Sequence, residues 1–395
     1  MVGQDEISLE ELKRLADTAG VKVLKKLMQR RFVINPAFYI GKGKLKELKH
    51  LVFENGANLV IFDNELTPAQ FRNLENFLET RVVDRTQLIL DIFAQHAHTR
   101  ESKLQVELAQ LQYLLPRLTG KGEELSRLGG GIGTRGPGET KLEIDRRRIE
   151  KRIYKLKQEL KNVKKNRQIQ RKSRKDPVVA LVGYTNAGKS TLLNTLTNAN
   201  TEVADKLFAT LDSTLRRLTL PFGKQIIISD TVGFIKKLPH QLVASFQATL
   251  EEIKEADILL HVVDSSEPEL ENHIKVVNAV LKELGVFHKE KIMVLNKIDR
   301  LEKGQLLDLG IKYPRAVPVS ALSGKCIDNL MGKICEIMLN EMTTVHLKIP
   351  YHEAGWINTI HHQGLVLKEK YVNDSIIIKA TIPTELANRL KKYTY

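Results

Sequence analysis

The stretch Gly183-Tyr184-Thr185-Asn186-Ala187-Gly188-Lys189-Ser190 decides the fold. It has the spacing G-x-x-x-x-G-K-[ST] of a phosphate loop. An apolar run, Val178-Val179-Ala180-Leu181-Val182, precedes it, and Thr191-Leu192-Leu193-Asn194-Thr195-Leu196 reads as a helix after it. That strand–loop–helix context is what the motif requires. Its glycines let backbone N–H groups close around the α- and β-phosphates, and the helix N-terminus adds positive potential. Lys189 is placed to reach the β/γ oxygens and the Ser190 hydroxyl to ligate Mg²⁺. The nucleotide-contacting stretch is expected to run from Gly183 through Thr191.

Asn296-Lys297-Ile298-Asp299 follows Ile292-Met293-Val294-Leu295, at the C-terminal end of a second strand. Open α/β sheets bind ligands at that end. The Asp299 carboxylate can accept from guanine N1–H and the exocyclic N2 amine together. Adenine offers neither donor and would leave Asp299 unpaired, a discrimination on the order of 10⁴. Asn296 can bridge strands of the site, and the Lys297 stem can cover one face of the base.

Three further pieces fall in order. Asp230-Thr231-Val232-Gly233 follows Ile226-Ile227-Ile228-Ser229. Asp230 would hold Mg²⁺ through water, and the Gly233 N–H would meet the γ-phosphate. Phe208-Ala209-Thr210-Leu211-Asp212 lies where a switch segment belongs, with Thr210 the second protein ligand of Mg²⁺ and Thr214 the alternative. Ser320-Ala321-Leu322-Ser323-Gly324-Lys325 offers backbone N–H groups to guanine O6. Five pieces in order imply a domain that binds GTP and GDP on a mostly parallel sheet, with Lys189, Thr210 and Gly233 as its catalytic set.

Around this domain the chain is long and basic. Its 395 residues carry a formal charge of +15, which favours a polyanionic partner. Cys326 and Cys335 have no companions at metal spacing and read as reduced thiols. No apolar run of 18 residues occurs, and Met1-Val2-Gly3-Gln4-Asp5-Glu6 lacks the marks of a secretory leader. A cytoplasmic monomer without a membrane span is expected.

Four parts are expected. Residues 1–95 read as a small parallel α/β unit, with strands at Val21–Leu24, Leu59–Phe62 and Arg81–Val83 and helices at Lys44–Phe53 and Pro68–Leu78. Its Ile40-Gly41-Lys42-Gly43-Lys44 reads as a turn at a helix start, not a second phosphate site. Residues 96–176 carry two heptad stripes, Leu104, Leu108, Leu111, Leu115, Leu118 and Ile149, Ile153, Leu156, Leu160, Val163. Together they make an antiparallel helical hairpin, with Pro116 bending the first helix near its end. Its glycine-rich tip, 119–140, can approach RNA closely, with Arg127 and Arg135 on phosphates. The second helix is densely basic towards its end, and Lys164, Lys165, Arg167, Arg171 and Lys172 are further candidate RNA contacts. Residues 177–342 form the nucleotide domain. Residues 343–395 read as a βαββα module, in which His361-His362 point apart on a helix and are no metal pair.

These motifs resemble the translation-factor-related GTPases, and within them the HflX group of ribosome-associated GTPases. The likeness rests on Phe208–Asp212, on Asp230–Phe234 and on the upstream run Gly129 to Thr140, and it is most specific across 96–345. It implies GTP hydrolysis with Mg²⁺, binding to ribosomal RNA of the large subunit, and splitting or rescue of stalled ribosomes under stress. A GTP-dependent ribosome assembly factor is the alternative. Phe234 stands directly after the Asp-x-x-Gly glycine, where Ras-like enzymes carry a water-orienting Gln. Asn186 stands where potassium-activated GTPases resembling this chain carry an Asn, so K⁺ is the candidate activator. A membrane-linked cation-transport GTPase is disfavoured by the lack of an apolar span.

Overall fold

In the computed structural model, residues 1–30, 33–118, 137–172, 176–199, 207–208, 210–212, 214–221, 223–237, 247–340, 342–372 and 374–395 are described. The chain divides into two compact units. The first holds residues 1–168 together with 204–212 and 235–249; the second holds 169–203, 213–234 and 250–395.

The first unit begins with a parallel four-stranded sheet in the order β2-β1-β3-β4, built from β1 (Val2–Gly3), β2 (Leu27–Met28), β3 (Leu59–Phe62) and β4 (Arg81–Asp84). Helices α1 (Glu6–Thr18), α2 (Lys42–Glu54), α3 (Pro68–Leu78) and α4 (Arg85–His96) connect and flank it. Val60, Phe62 and Val82 meet Leu45, Leu48, Leu74 and Leu78 in one core. Helix starts are capped by short polar side chains. Asp5 accepts from Ser8 N, and Thr67 forms a capping box with Gln70 next to Pro68. The second strand departs from expectation. Residues 21–26 make no ladder, and Val21 N donates to Ala16 O to close α1. The ladder starts at Leu27, in register with Val2. Lys42 opens α2, as a lysine-bearing turn at a helix start should.

Two longer helices follow, α5 (Arg100–Leu114) and α6 (Pro137–Lys172). Leu104 and Leu108 pack on Ile153 and Leu156, flanked by Leu111, Leu115, Ile149 and Leu160, so the two stripes bury each other antiparallel. Beyond Leu114 the first helix tightens into a 3₁₀ turn at Leu115–Arg117, which contains Pro116. A two-pronged Arg152–Glu107 pair, 2.7 Å at each nitrogen, ties the hairpin from outside.

The second unit is centred on a six-stranded sheet, β10-β9-β8-β5-β7-β6, parallel except for β6. Its strands are β5 (Val178–Gly183), β6 (Thr214–Thr219), β7 (Gln225–Asp230), β8 (Ile258–Asp264), β9 (Glu290–Asn296) and β10 (Val317–Pro318). Helices α7 (Lys189–Thr197), α8 (Gln247–Glu255), α9 (Leu270–Glu283), α10 (Lys303–Lys312) and α11 (Ile327–Asn340) connect them. β5 is almost wholly buried, as a parallel strand covered on both faces should be. A three-stranded antiparallel sheet ends the chain in the order β11-β13-β12, with β11 (Met342–Pro350), α12 (Gly355–Gln363), β12 (Leu365–Val372), β13 (Ser375–Pro383) and α13 (Thr384–Arg389). That is the βαββα order. No helix of the described residues is long and apolar enough to cross a membrane.

Candidate functional site

The phosphate loop joins β5 to α7. It needs two left-handed residues, Asn186 at φ 60° and Gly188 at φ 88°. A Cβ at Gly188 would lie 2.3 Å from Asn296 Nδ2, so both room and backbone conformation demand glycine there. Lys189 opens α7 and folds back into the loop, donating to Tyr184 O (2.9 Å) and Gly183 O (3.3 Å). It is only 6% exposed, and burial pushes its ammonium down to about 8, against the pull of Asp230. Ser190 Oγ donates to Asp230 Oδ2 at 2.6 Å, bringing the ends of α7 and β7 together. A hydroxyl beside a carboxylate is an all-oxygen donor set suited to a hard cation.

Residues 231–234 lie against the loop. Thr231 donates to Leu181 O, Thr185 N to Phe234 O, and Phe234 N to Gly183 O. A Cβ on Gly233 would come within 2.8 Å of Thr185 Cα and 3.0 Å of Lys189 Nζ, so a side chain there would crowd the loop and the lysine. The Phe234 ring is buried, 2% exposed, and has no group with which to order a water. The Tyr184 ring stacks on His273 of α9, 3.8 Å between centroids and 8° apart in plane.

The residues expected to read the base are joined by hydrogen bonds. Asn296 donates to Ala187 O and accepts from Ala321 N, both at 2.9 Å, so one side chain joins the phosphate loop to the 320–325 loop. Lys297, at φ 64°, donates to Asn186 O (2.8 Å) and pairs with Asp264 at 2.6 Å. Ser320 Oγ donates to Asp299 Oδ1 at 2.5 Å. Ile298 is buried and anchors the turn, whereas Leu322 stands exposed.

Motif spacing does not single out two residues bonded to this group, Asp264 and Ser265. Asp264 holds Lys297, and Ser265 Oγ donates to Asn296 O. The signal that could find them is position: both fall at the C-terminal end of an apolar strand, where ligands bind.

Phe208, Thr210, Leu211 and Asp212 belong to the first unit. Phe208 meets Phe93 edge-on at 4.7 Å, and Asp212 accepts from His98 N, Thr99 N and Thr99 Oγ1. Burial alone would raise the Asp212 carboxyl; the hydrogen bonds from Thr99, Ser102 and His98 outweigh it and hold it lowered. Ala209 lies outside the described residues.

Of the candidate RNA contacts, Arg127 and Arg135 lie outside the described residues, as do the side chains of Arg171 and Lys172. Lys165 is exposed and Lys164 half-buried. Arg167 is half-buried and its Nε lies 2.8 Å from Glu101, an ion pair within the hairpin. No group of three or more metal-ligating side chains occurs among the described residues, and His361 bonds Glu369.

Known proteins similar to this chain in sequence are numerous. Residues 6–94 match the family described as GTP-binding GTPase N-terminal, 96–174 the GTP-binding GTPase middle region, and 178–297 the 50S ribosome-binding GTPase. A GTPase HflX of Caldanaerobacter subterraneus is 51% identical over 99% of this chain and 91% of its own length. That of Lacrimispora saccharolytica is 50% identical over 96% of this chain and 90% of its own. That of Escherichia coli is 43% identical over 98% and 93%. A phosphate loop and likeness along nearly the whole chain together make this chain a member of the HflX family of GTPases, hydrolysing GTP.

Proposed function

We propose that this GTPase acts on the large ribosomal subunit and separates stalled ribosomes under stress, with its nucleotide state timing the grip. The observation that carries this is the match of 178–297 to a family described as 50S ribosome-binding. The +15 charge and the exposed basic face of α6 support it, since a polyanion is the partner such charge suits. The cytoplasm is then its place of work. Within the site, Lys189 neutralises the β/γ oxygens, Gly233 N–H orients the γ-phosphate, and Asp299 reads the base. Mg²⁺ would be held by Ser190 and, through water, by Asp230, with Thr210 the second protein ligand once nucleotide is bound. When bound, such an ion neutralises charge on the phosphate oxygens.

The direct test is sedimentation with purified subunits. A GTP analogue is expected to give tighter large-subunit binding than GDP, by about tenfold or more. Equal affinities would end the proposed coupling. Sucrose gradients separate the two ribosome roles, because splitting depletes joined particles whereas an assembly factor leaves precursors when removed.

Potassium is the second element. The Asn186 carboxamide makes no hydrogen bond to the described residues, so its oxygen is open to a cation beside the phosphates. Replacing Na⁺ by K⁺ is expected to raise intrinsic turnover roughly tenfold, a fraction of what an arginine finger supplies. Equal rates in the two salts would remove K⁺ from the site.

A further inference from the structure

Among the described residues, the C-terminal sheet is covered on one face. Leu347, Ile349, Ile376, Ile378, Ala380 and Ile382 point into a core with Ile357 and Ile360 of α12 and Leu386 of α13. Side chains alternate across a strand, so the residues between them share the open face. Register fixes who stands beside whom there: Lys348, Ile377 and Lys370 form one row, and His346, Lys379 and Lys368 the next. All four lysines are exposed, and none has a carboxylate partner among the described residues.

The charges are sorted by face. Glu369, between Lys368 and Lys370 in sequence, registers with buried Ile378 and bonds His361 of α12. The strand carboxylate is thus on the helix side and the lysines on the other. Lys368 stands directly opposite Lys379, a like-charge pair that destabilises a sheet unless an anion lies over it. Aromatic side chains on the three strands are not on this face: Tyr371 registers with core-facing Ile376, and the ring beside the face is Tyr395, which meets His346 edge-on. Stacking of splayed bases is therefore disfavoured against contacts to a phosphate backbone.

We propose that this open face is an RNA-docking surface separate from the helical hairpin, engaging the phosphate backbone of folded RNA. It deepens the ribosome reading above and rests on it for the RNA's source. The test compares full-length protein with a variant carrying Lys348→Gln, Lys368→Gln, Lys370→Gln and Lys379→Gln, on purified large subunits and on a naked RNA duplex, from 50 to 200 mM salt. On both probes the variant is expected to bind about tenfold more weakly, or worse. Its slope of log affinity against log salt should be shallower by about 3, near 0.7–0.9 per lost phosphate contact. Ribosome-free GTP turnover should stay unchanged, and four Lys→Arg replacements should restore binding. Identical affinity and slope in variant and wild type overturn the surface, as does a loss confined to anionic vesicles or acidic peptides. Duplex binding that depends on the lysines without any subunit binding leaves the surface standing and removes the ribosome role.

Discussion

Asp299→Asn is expected to move preference from GTP to xanthosine triphosphate, changing the ratio of kcat/KM values by on the order of 10⁴. Ser320 Oγ fixes one carboxylate oxygen of Asp299, and Ser320 in turn accepts from Ser323 N. The carboxylate is thus oriented before any base arrives, and its remaining acceptor capacity faces two donors on guanine. A carboxamide keeps the shape but substitutes a donor for one acceptor. It meets the guanine amine donor to donor, and the C2 carbonyl of xanthine donor to acceptor. Competition between the two triphosphates in one turnover assay measures the switch. Unchanged preference would mean that the base is read by other groups. Because Asp299 is exposed, the variant should melt within a few degrees of the parent.

What is legible in the chain is local. The phosphate loop and the Asn296–Asp299 turn are each specified by a few consecutive residues after an apolar strand, so their local structure can be read without knowing what lies opposite. The heptad stripes at Leu104–Leu118 and Ile149–Val163 are legible for the same reason, and the hairpin core of Leu104, Leu108, Ile153 and Leu156 follows. What stays hidden depends on partners far away in sequence. Nothing in Val262-Val263-Asp264 announces that its carboxylate will hold Lys297, 33 positions on. Arg167 looks like one basic residue among many, yet Glu101 engages it. Asp212 reads as a nucleotide-side residue, and its oxygens face the first turn of α5. The two-residue strands β1 and β2 are too short for a pattern, and the better β-forming run at Val21–Leu24 has no neighbour to pair with.

Lys189→Met is expected to lower kcat/KM for GTP by on the order of 10³, the scale of losing a pre-aimed group at developing charge. The same change should leave the unliganded protein no less stable at pH 7. Lys189 is buried with its ammonium lowered to about 8, so folding penalises the charged form. That penalty is complete below pH 8 and fades as pH rises towards the unfolded value of about 10.5. Methionine matches the stem and carries no charge, so any stability advantage of the variant should shrink across that window. Nucleotide binding runs the opposite way. Phosphate oxygens restore the charged form, so above pH 8 binding must take up a proton, and affinity should fall by up to about tenfold per pH unit. Calorimetry at pH 9 in buffers of different ionisation enthalpy would show uptake approaching one proton in the parent and none in the variant. A flat affinity between pH 7 and 9.5 would mean that this lysine is not the cation the phosphates meet. The close pass of the Gly233 backbone, with room for no Cβ beyond 3.0 Å from Lys189 Nζ, would then reflect packing alone.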